Sequence, residues 1–129
     1  MIRRTLLLLL TLKIIFIEQP SGAAPEFRTV RVIWADGRPE DIPVDAAKKY
    51  SVSEPRLDYP YEARLKRLTG TGLFELRIAK AGTVKGIVII KSTGHQLLDQ
   101  AAMRAFIHCR FKPGAFRKVY EPIAFATVP

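Results

Sequence analysis

Residues 91–113 constrain the fold of this chain more than any other stretch of its sequence. A polar turn over residues 92–96 precedes apolar residues that share one face of a 3.6-residue wheel, namely Leu98, Ala101, Ala102, Ala105, Phe106 and Cys109. A helix with one apolar face has to cover apolar surface elsewhere in the chain. We expect this helix to end at Pro113-Gly114 and to pack on a β-sheet built from the flanking segments.

The polar residues around the start of this helix favour capping over catalysis. Thr93 and Gln96 have the spacing of a capping box, and His95 is the alternative N-cap residue. Asp99 lies at the edge of the apolar face, where we expect its carboxylate to bond to the preceding turn. As an acid–base pair, Asp99 and His95 have no nucleophile, metal-ligand set or oxyanion loop beside them in the sequence. The pattern therefore indicates a protein that is not an enzyme.

Three segments have the pattern of β-strands: residues 73–80, 84–91 and 119–126. The first alternates apolar and polar residues as a half-buried strand does, with Phe74, Leu76 and Ile78 on one face. A short turn joins it to the second in a hairpin, where Gly86 indicates a β-bulge. Pro122 lacks an N–H donor, so we expect the last strand at the edge of the sheet, with the proline nitrogen facing outward.

Residues 59–68 predict a second helix, with Pro60 at its first position and a Thr-Gly-Thr-Gly stop after it. The elements then follow the order α-β-β-α-β. We expect an α+β domain in which two helices pack on one face of a three-stranded antiparallel sheet. The strand order is 2-1-3, because the last strand runs antiparallel to the first, which becomes the central strand. The crossover is taken as right-handed.

The N-terminus has the features of a secretory signal peptide covering residues 1–23. Arg3 and Arg4 precede an apolar run over residues 5–17, which Lys13 interrupts. Small residues follow, and we expect cleavage after Ala23. The alternative is an uncleaved anchor, although the run is shorter than the roughly 20 residues of an ordinary membrane span.

Residues 24–53 form an N-terminal arm for which two interpretations stay open. Residues 27–34 are rich in valine and isoleucine and end near an Asp36-Gly37 turn signal, which is typical of a strand hairpin. Pro39 and Pro43, and Pro55 just after the arm, then interrupt regular structure. The arm is either an extra hairpin packed on the main domain or a tether, and we place the main domain at residues 54–129.

Composition excludes several kinds of site. The sequence has one cysteine and two histidines, so it offers no intramolecular disulfide and no zinc-ligand spacing, and we expect no metal and no cofactor. Cys109 falls on the apolar helix face, which is typical of a buried, unreactive thiol. The formal charge is +9, and export argues against nucleic acid as the partner of a basic surface. The candidate basic surface comprises Arg64, Lys66, Arg67, Arg117 and Lys118.

An ordered series of short motifs carries a family resemblance. The series is Tyr59-Pro60, Ala63-Arg64, Gly70 and Gly72, Gly82-Thr83-Val84, Ser92-Thr93-Gly94-His95, Leu98-Asp99, Ala101-Ala102 and Arg110-Phe111-Lys112-Pro113-Gly114, followed by a terminal Val/Pro/Ile/Phe strand. In this order the motifs, which cover residues 54–128, resemble the C-terminal domain of the TonB family. The family fold, two helices on a three-stranded antiparallel sheet, agrees with the fold predicted from the elements.

The resemblance implies a non-enzymatic periplasmic domain that takes part in energy-coupled transport. Such domains bind a short extended peptide, the TonB box, of outer-membrane transporters by adding it as a strand to the edge of the last strand. Carried onto this sequence, the implied peptide-binding residues are Val119, Tyr120, Glu121, Ile123 and Phe125. An uncleaved N-terminus would add an inner-membrane anchor and an inner-membrane proton-channel complex as a partner. The family also includes homodimers, so a homodimer is allowed.

The chain departs from the family pattern in three respects. The segment between the apolar run and the domain is short and is not a proline-rich spacer. Cys109 stands where the family usually has a bulky aromatic residue, and Trp34 of the arm could fill that space. Pro122 removes one donor from the docking edge. The alternative function is an envelope scaffold or adaptor that binds anionic polymer or lipid through the basic surface, without energy transduction.

Overall fold

The computed structural model describes residues 13–17, 27–53 and 55–127, and for residues 13–17 and Thr127 it describes the backbone alone. Its strands are β1 (Lys13–Ile17), β2 (Thr29–Trp34), β3 (Pro39–Pro43), β4 (Ser51–Ser53), β5 (Gly70–Ile78), β6 (Val84–Lys91), β7 (Arg110–Phe111) and β8 (Phe116–Thr127). Its helices are α1 (Val44–Lys48), α2 (Tyr61–Leu65) and α3 (Gln96–Phe106). The predicted cleavage site after Ala23 and most of the predicted signal peptide lie outside these described residues.

One sheet holds most of the strands, in the order β3-β2-β8-β5-β6, and neighbours along this path are antiparallel. β1 joins the same sheet by pairing in parallel with β8, and β4 and β7 form a separate two-stranded sheet. The predicted fold was therefore wrong. In place of a three-stranded sheet with two helices, the chain has a five-strand antiparallel sheet with β1 added, a two-stranded sheet and three helices.

A hairpin of β2 and β3 supplies the two additional antiparallel strands. β2 buries Val30 and Val32 in the common core, and the turn after it contains Gly37 in a left-handed conformation. β3 begins with Pro39 and ends with Pro43, which is why the sequence did not predict a strand there. Proline is tolerated because β3 is the outermost strand on this side of the sheet. This part of the arm is thus a packed hairpin.

β5 begins earlier than predicted, at Gly70, so the expected Thr-Gly-Thr-Gly stop is the first part of a strand. The reason is the closeness of the turn before α3. A Cβ atom added at Gly70 would lie 2.2 Å from the carbonyl oxygen of Thr93. Glycine lets the strand pass directly beneath that turn, which ties β5 to the start of the main helix.

The core lies between one face of the sheet, here called the inner face, and the helices. Phe74, Leu76 and Ile78 are buried on this face, as their alternation predicted. The rings of Phe74 and Phe106 meet edge to face with centroids 5.5 Å apart, which joins β5 to α3. Ala47 of α1 and Ala63 of α2 belong to the same core cluster.

Trp34 anchors the hairpin to the rest of the domain. Its ring centroid lies 5.4 Å from that of Tyr50 and 5.1 Å from that of Phe116, the first residue of β8. Its indole N–H donates to Glu40 Oε2 at 2.7 Å. The N-terminal arm therefore contributes to the same core cluster that includes Cys109.

The turn before α3 is held by Asp99, as predicted. Asp99 Oδ1 accepts hydrogen bonds from the backbone N–H of Thr93 at 2.8 Å and from its hydroxyl at 2.6 Å, and Oδ2 accepts from the Ser92 hydroxyl. The predicted capping box of Thr93 and Gln96 was wrong, because the Thr93 hydroxyl is engaged by Asp99. The N-cap residue is His95, the alternative, and its side chain makes no capping bond.

The helices are shorter than the sequence predicted. α3 ends at Phe106 and not at Pro113-Gly114, because Arg110 and Phe111 leave the helix to pair with β4. Phe111 N–H also donates to Gly82 O at 2.9 Å, which ties this segment to the β5–β6 turn.

The other shortened helix is α2. It spans Tyr61–Leu65, with Pro60 as its N-cap residue instead of its first helical residue. The buried Tyr59 precedes it and donates its hydroxyl to Leu68 O, so both ends of the predicted helix are held by non-helical contacts.

Replacing Asp99 by asparagine is expected to lower the free energy of unfolding at pH 7 by about 1–2 kcal/mol, because several hydrogen bonds to a buried carboxylate are weakened. Burial opposes ionisation of Asp99, but the hydrogen bonds from Ser92 and Thr93 outweigh it and lower its pKa. A lowered pKa gives stability that is present above the unfolded-state value of about 3.9 and is lost as pH falls through the folded-state value. Urea unfolding at pH 7 and pH 3 should show the two proteins converging at pH 3. Asp45→Asn, at an exposed site, is the control, and an equal effect from both substitutions would contradict the assignment.

Candidate functional site

The residues implied as peptide-binding all lie on β8, but their side chains do not line one surface. Successive side chains on a strand point to opposite faces. Val119, Glu121, Ile123 and Phe125 point to the inner face and are buried, while Tyr120 points to the opposite, outer face. A partner on this strand would therefore contact its backbone edge more than these side chains.

β8 is an interior strand, so its predicted edge position was wrong. β5 pairs with one side of it from Lys118 to Phe125. On the other side, β2 pairs with its first part as far as Val119, and β1 pairs with its last part from Ile123 to Thr127. The sequence could not reveal this, because both covering strands come from the N-terminal region.

Pro122 lies between the parts of β8 that pair with β2 and with β1. It is also in register with Leu73 of β5. Its ring nitrogen cannot donate, so we infer that it faces away from the β5 ladder, toward the β1 side. Backbone groups alternate in direction along a strand, which places the N–H groups of Ala124 and Ala126 on the β1 side as well. These donors are the ones that an added strand would use.

A polar cluster occupies the outer face beside this edge. The Tyr120 hydroxyl donates to Glu75 Oε1 at 3.0 Å, Arg77 Nε donates to Glu75 Oε2 at 2.9 Å, and Lys118 Nζ lies 3.7 Å from Oε2. The hydrogen bond from Arg77 is the main reason that the pKa of Glu75 is lowered, and burial followed by the bond to Glu75 raises the pKa of Tyr120. Both shifts favour an ionised carboxylate and a neutral phenol, so the cluster is a structural network across β5 and β8.

A cleft of about 600 Å³, called the outer cleft below, opens on the same face. It lies where the first residues of β2 separate from β8. Its lining includes Phe27, Thr29, Val30, Arg31, Ile33, Asp41, Thr71, Gly72, Leu73, Ile90, Lys91, Tyr120 and Pro122. Arg31 Nη2 donates to Asp41 Oδ2 at 2.8 Å across the hairpin. The sequence analysis missed this cleft, although the alternation of Thr29, Arg31 and Ile33 with buried valines was a signal for an outer face.

The five residues of the candidate basic surface have varied surroundings. Lys66 Nζ lies 3.3 Å from Glu62 Oε2, Lys118 is close to Glu75, and Arg117 donates to Ala35 O at 3.0 Å. Arg64 stacks over the Tyr61 ring at 5.7 Å. Much of this positive charge is therefore engaged with neighbouring groups of the chain.

Other candidate sites remain structural in the described part of the chain. Cys109 is buried, in agreement with the sequence analysis. Within residues 27–53 and 55–127, no group of three or more His, Cys, Asp and Glu side chains could hold a metal ion. None of the three described helices combines the length and apolar character required to cross a membrane.

Comparison with models of known protein families gives a match. The model of the family described as "Gram-negative bacterial TonB protein C-terminal" matches residues 55–127, which is more than half of the chain. A search of curated proteins finds no match. Domains of this family are non-enzymatic interaction modules of the periplasm and cell envelope that contact outer-membrane transporters. The chain therefore belongs to the family of TonB C-terminal domains.

Proposed function

We propose that this protein binds an extended segment of an outer-membrane transporter by parallel strand addition to β8 at Ile123–Thr127. One observation carries the proposal: the chain's own β1 pairs there in parallel, from Lys13 opposite Ile123 to Ile17 opposite Thr127. This pairing supports the proposal, because a segment of the same chain already lies on this edge as an extended strand.

Main-chain hydrogen bonds would supply much of the affinity. Each intramolecular bond of this type contributes about 0.5–1.5 kcal/mol net, so a strand of five residues gains a few kcal/mol from the ladder. β2 covers β8 as far as Val119 and limits the available edge to the residues that follow. The docking site is therefore short, in keeping with a short linear motif.

The state of the N-terminus decides whether this edge is open. Cleavage after Ala23, as the sequence predicts, would remove β1 and free the edge at residues 123–127. The exported domain would then hold a transporter segment without a covalent link to the inner membrane. An uncleaved N-terminus would instead anchor the domain, allow an inner-membrane proton-driven complex to pull on it, and leave β1 as a competitor for the site.

β6 is another outermost strand of the sheet, as is β3, and it carries the exposed residues Ile89 and Ile90. We favour β8 because β1 already pairs with it in parallel. Peptide binding at β8 and peptide binding at β6 can be distinguished directly, since β5 separates the two strands.

The test uses the full chain with Ile15→Pro and Phe16→Pro, called the opened variant below, in which β1 loses the one N–H of these two that faces β8 and gains two proline rings that disfavour pairing. Peptides spanning the extended N-terminal motifs of outer-membrane transporters are titrated while backbone amide NMR signals are followed. We expect shifts concentrated at residues 120–127. Shifts confined to Val84–Lys91, or none with any peptide, would contradict the proposal. Binding of an anionic polymer that disappears on adding salt and on Arg64→Glu with Arg67→Glu would support the scaffold function instead.

A further inference from the structure

We propose that the outer cleft selects the docking strand by taking a large apolar side chain at the position immediately before its paired segment. This inference rests on the proposed function, because it extends the same added strand by one residue. It assigns a specificity site to the hairpin of β2 and β3. The hairpin lies outside residues 55–127, which match the family, so the cleft joins residues of the matched domain to residues before it.

The register of β1 determines which position reaches the cleft. Lys13 lies opposite Ile123, so in a parallel strand that continues toward its own N-terminus the preceding residue falls beside Pro122. Residues in register on neighbouring strands point their side chains to the same face. Pro122 is on the outer face, where it lines the cleft. The side chain one position before the paired segment, position −1, therefore points toward the cleft.

The separation of β2 from β8 makes room for that residue. Pairing between them ends at Val32 opposite Val119, whereas β2 continues its pairing with β3 back to Thr29. The first residues of β2 and the preceding Phe27 thus form a wall across from Pro122. An added strand that passes residues 120–122 runs along the opening of the cleft between these two walls.

The chemistry of the lining favours an apolar occupant. Phe27, Ile33, Leu73, Ile90 and Pro122 supply most of the apolar wall. Among its polar groups, Arg31 pairs with Asp41 and the Tyr120 hydroxyl donates to Glu75, while Thr29, Thr71 and Lys91 complete the polar lining. A polar side chain placed against the apolar wall would lose water without gaining a partner there, which is unfavourable. A leucine or phenylalanine would bury apolar area against the wall.

The sequence before β1 is consistent with this preference. The residue that precedes Lys13 is Leu12, so the segment that already pairs with β8 carries an apolar residue at position −1. A docking strand is preferred over a second copy of the chain as the occupant because the cleft is continuous with the edge at Ile123 where a strand is seated.

The experiment measures anisotropy of labelled peptides on the opened variant. Each peptide contains Lys-Ile-Ile-Phe-Ile, the sequence of β1, preceded by leucine, phenylalanine, alanine or aspartate at position −1 and by a Gly-Ser linker. We expect leucine and phenylalanine to bind about tenfold more tightly than alanine, equivalent to about 1.4 kcal/mol. Aspartate should bind more weakly than leucine, although Lys91 also lines the cleft.

A matched pair of substitutions tests the location. Ile90 in the cleft and Ile107 at the end of α3 are 50% and 45% exposed, so Ile90→Lys and Ile107→Lys are comparable changes. The tenfold preference should fall below about threefold in Ile90→Lys and persist in Ile107→Lys. Equal affinity for leucine and alanine peptides in the parent would overturn the cleft assignment and leave strand addition standing. Absence of binding by every peptide would overturn both. A concentration-dependent dimer lost in Ile90→Lys, without a peptide preference, would identify a second copy as the occupant and also contradict the proposal.

Discussion

Replacing Ile15 and Phe16 by proline in the full chain is expected to raise its affinity for a docking peptide by about 100-fold. The reason is intramolecular competition at β8, where β1 is seated at residues 123–127. A segment tethered by a short linker acts at an effective concentration of about 1 mM. With an intrinsic Kd of about 10 μM for the β1 segment itself, such a tether weakens the apparent binding of a competing peptide by roughly a factor of 100. Titration calorimetry on the full chain and the opened variant measures the difference.

The control keeps the strand and changes only its side chains. Ile15→Val with Phe16→Tyr retains both backbone donors and good strand formers, so peptide affinity should stay close to that of the unchanged chain. Equal peptide affinity in the full chain and the opened variant would show that β1 does not compete for the docking edge.

Ala126→Pro in the opened variant is expected to weaken peptide binding by about 30- to 100-fold. The N–H of Ala126 is inferred to face the β1 side, and its loss removes a ladder bond worth roughly 1 kcal/mol. The proline ring would also occupy space that the added strand needs. The fold should survive, because pairing between β5 and β8 extends only to Phe125 opposite Gly70. Peptide titration reports the affinity, and urea unfolding reports the stability.

Ala126→Val is the matched control, since it enlarges the side chain but keeps the N–H group. It should bind peptide within a few-fold of the parent. Loss of binding in both variants would point to the side chain of residue 126, and unchanged binding in Ala126→Pro would place the partner elsewhere on the molecule.

Elements with strong local periodicity could be predicted from the sequence. The apolar face of α3 and the alternation of Phe74, Leu76 and Ile78 follow directly from helical and strand periods. The bonding of Asp99 to the preceding turn was also predictable, because a carboxylate at the edge of an apolar face needs a local partner.

Elements determined by distant pairing could not be predicted in the same way. β3 is a local exception: it has prolines at both ends, which obscured it in the sequence, and it pairs with its neighbour β2 in a hairpin. Arg110 and Phe111 read as the end of α3, yet they pair with β4, which is far away in sequence. Pro122 indicated an edge strand, but its missing donor is accommodated in an interior strand because the pairing with β2 stops before it.

The candidate site, too, could be predicted from the sequence only in part. The family resemblance directed attention to β8, but not to the strands that cover it or to the outer cleft. The network of Glu75, Arg77 and Tyr120 and the cleft lining depend on the registers of β2, β5 and β8. Such registers follow from long-range packing, which local patterns do not encode.

The central claim is that an extended peptide docks in parallel on the β8 edge at residues 123–127. Intermolecular NOEs between the isotope-labelled opened variant and an unlabelled peptide test it most directly. The account predicts backbone contacts in parallel order, with the N-terminal end of the paired segment near Ile123 and its C-terminal end near Thr127. Contacts along Val84–Lys91, or an antiparallel order on β8, would contradict it.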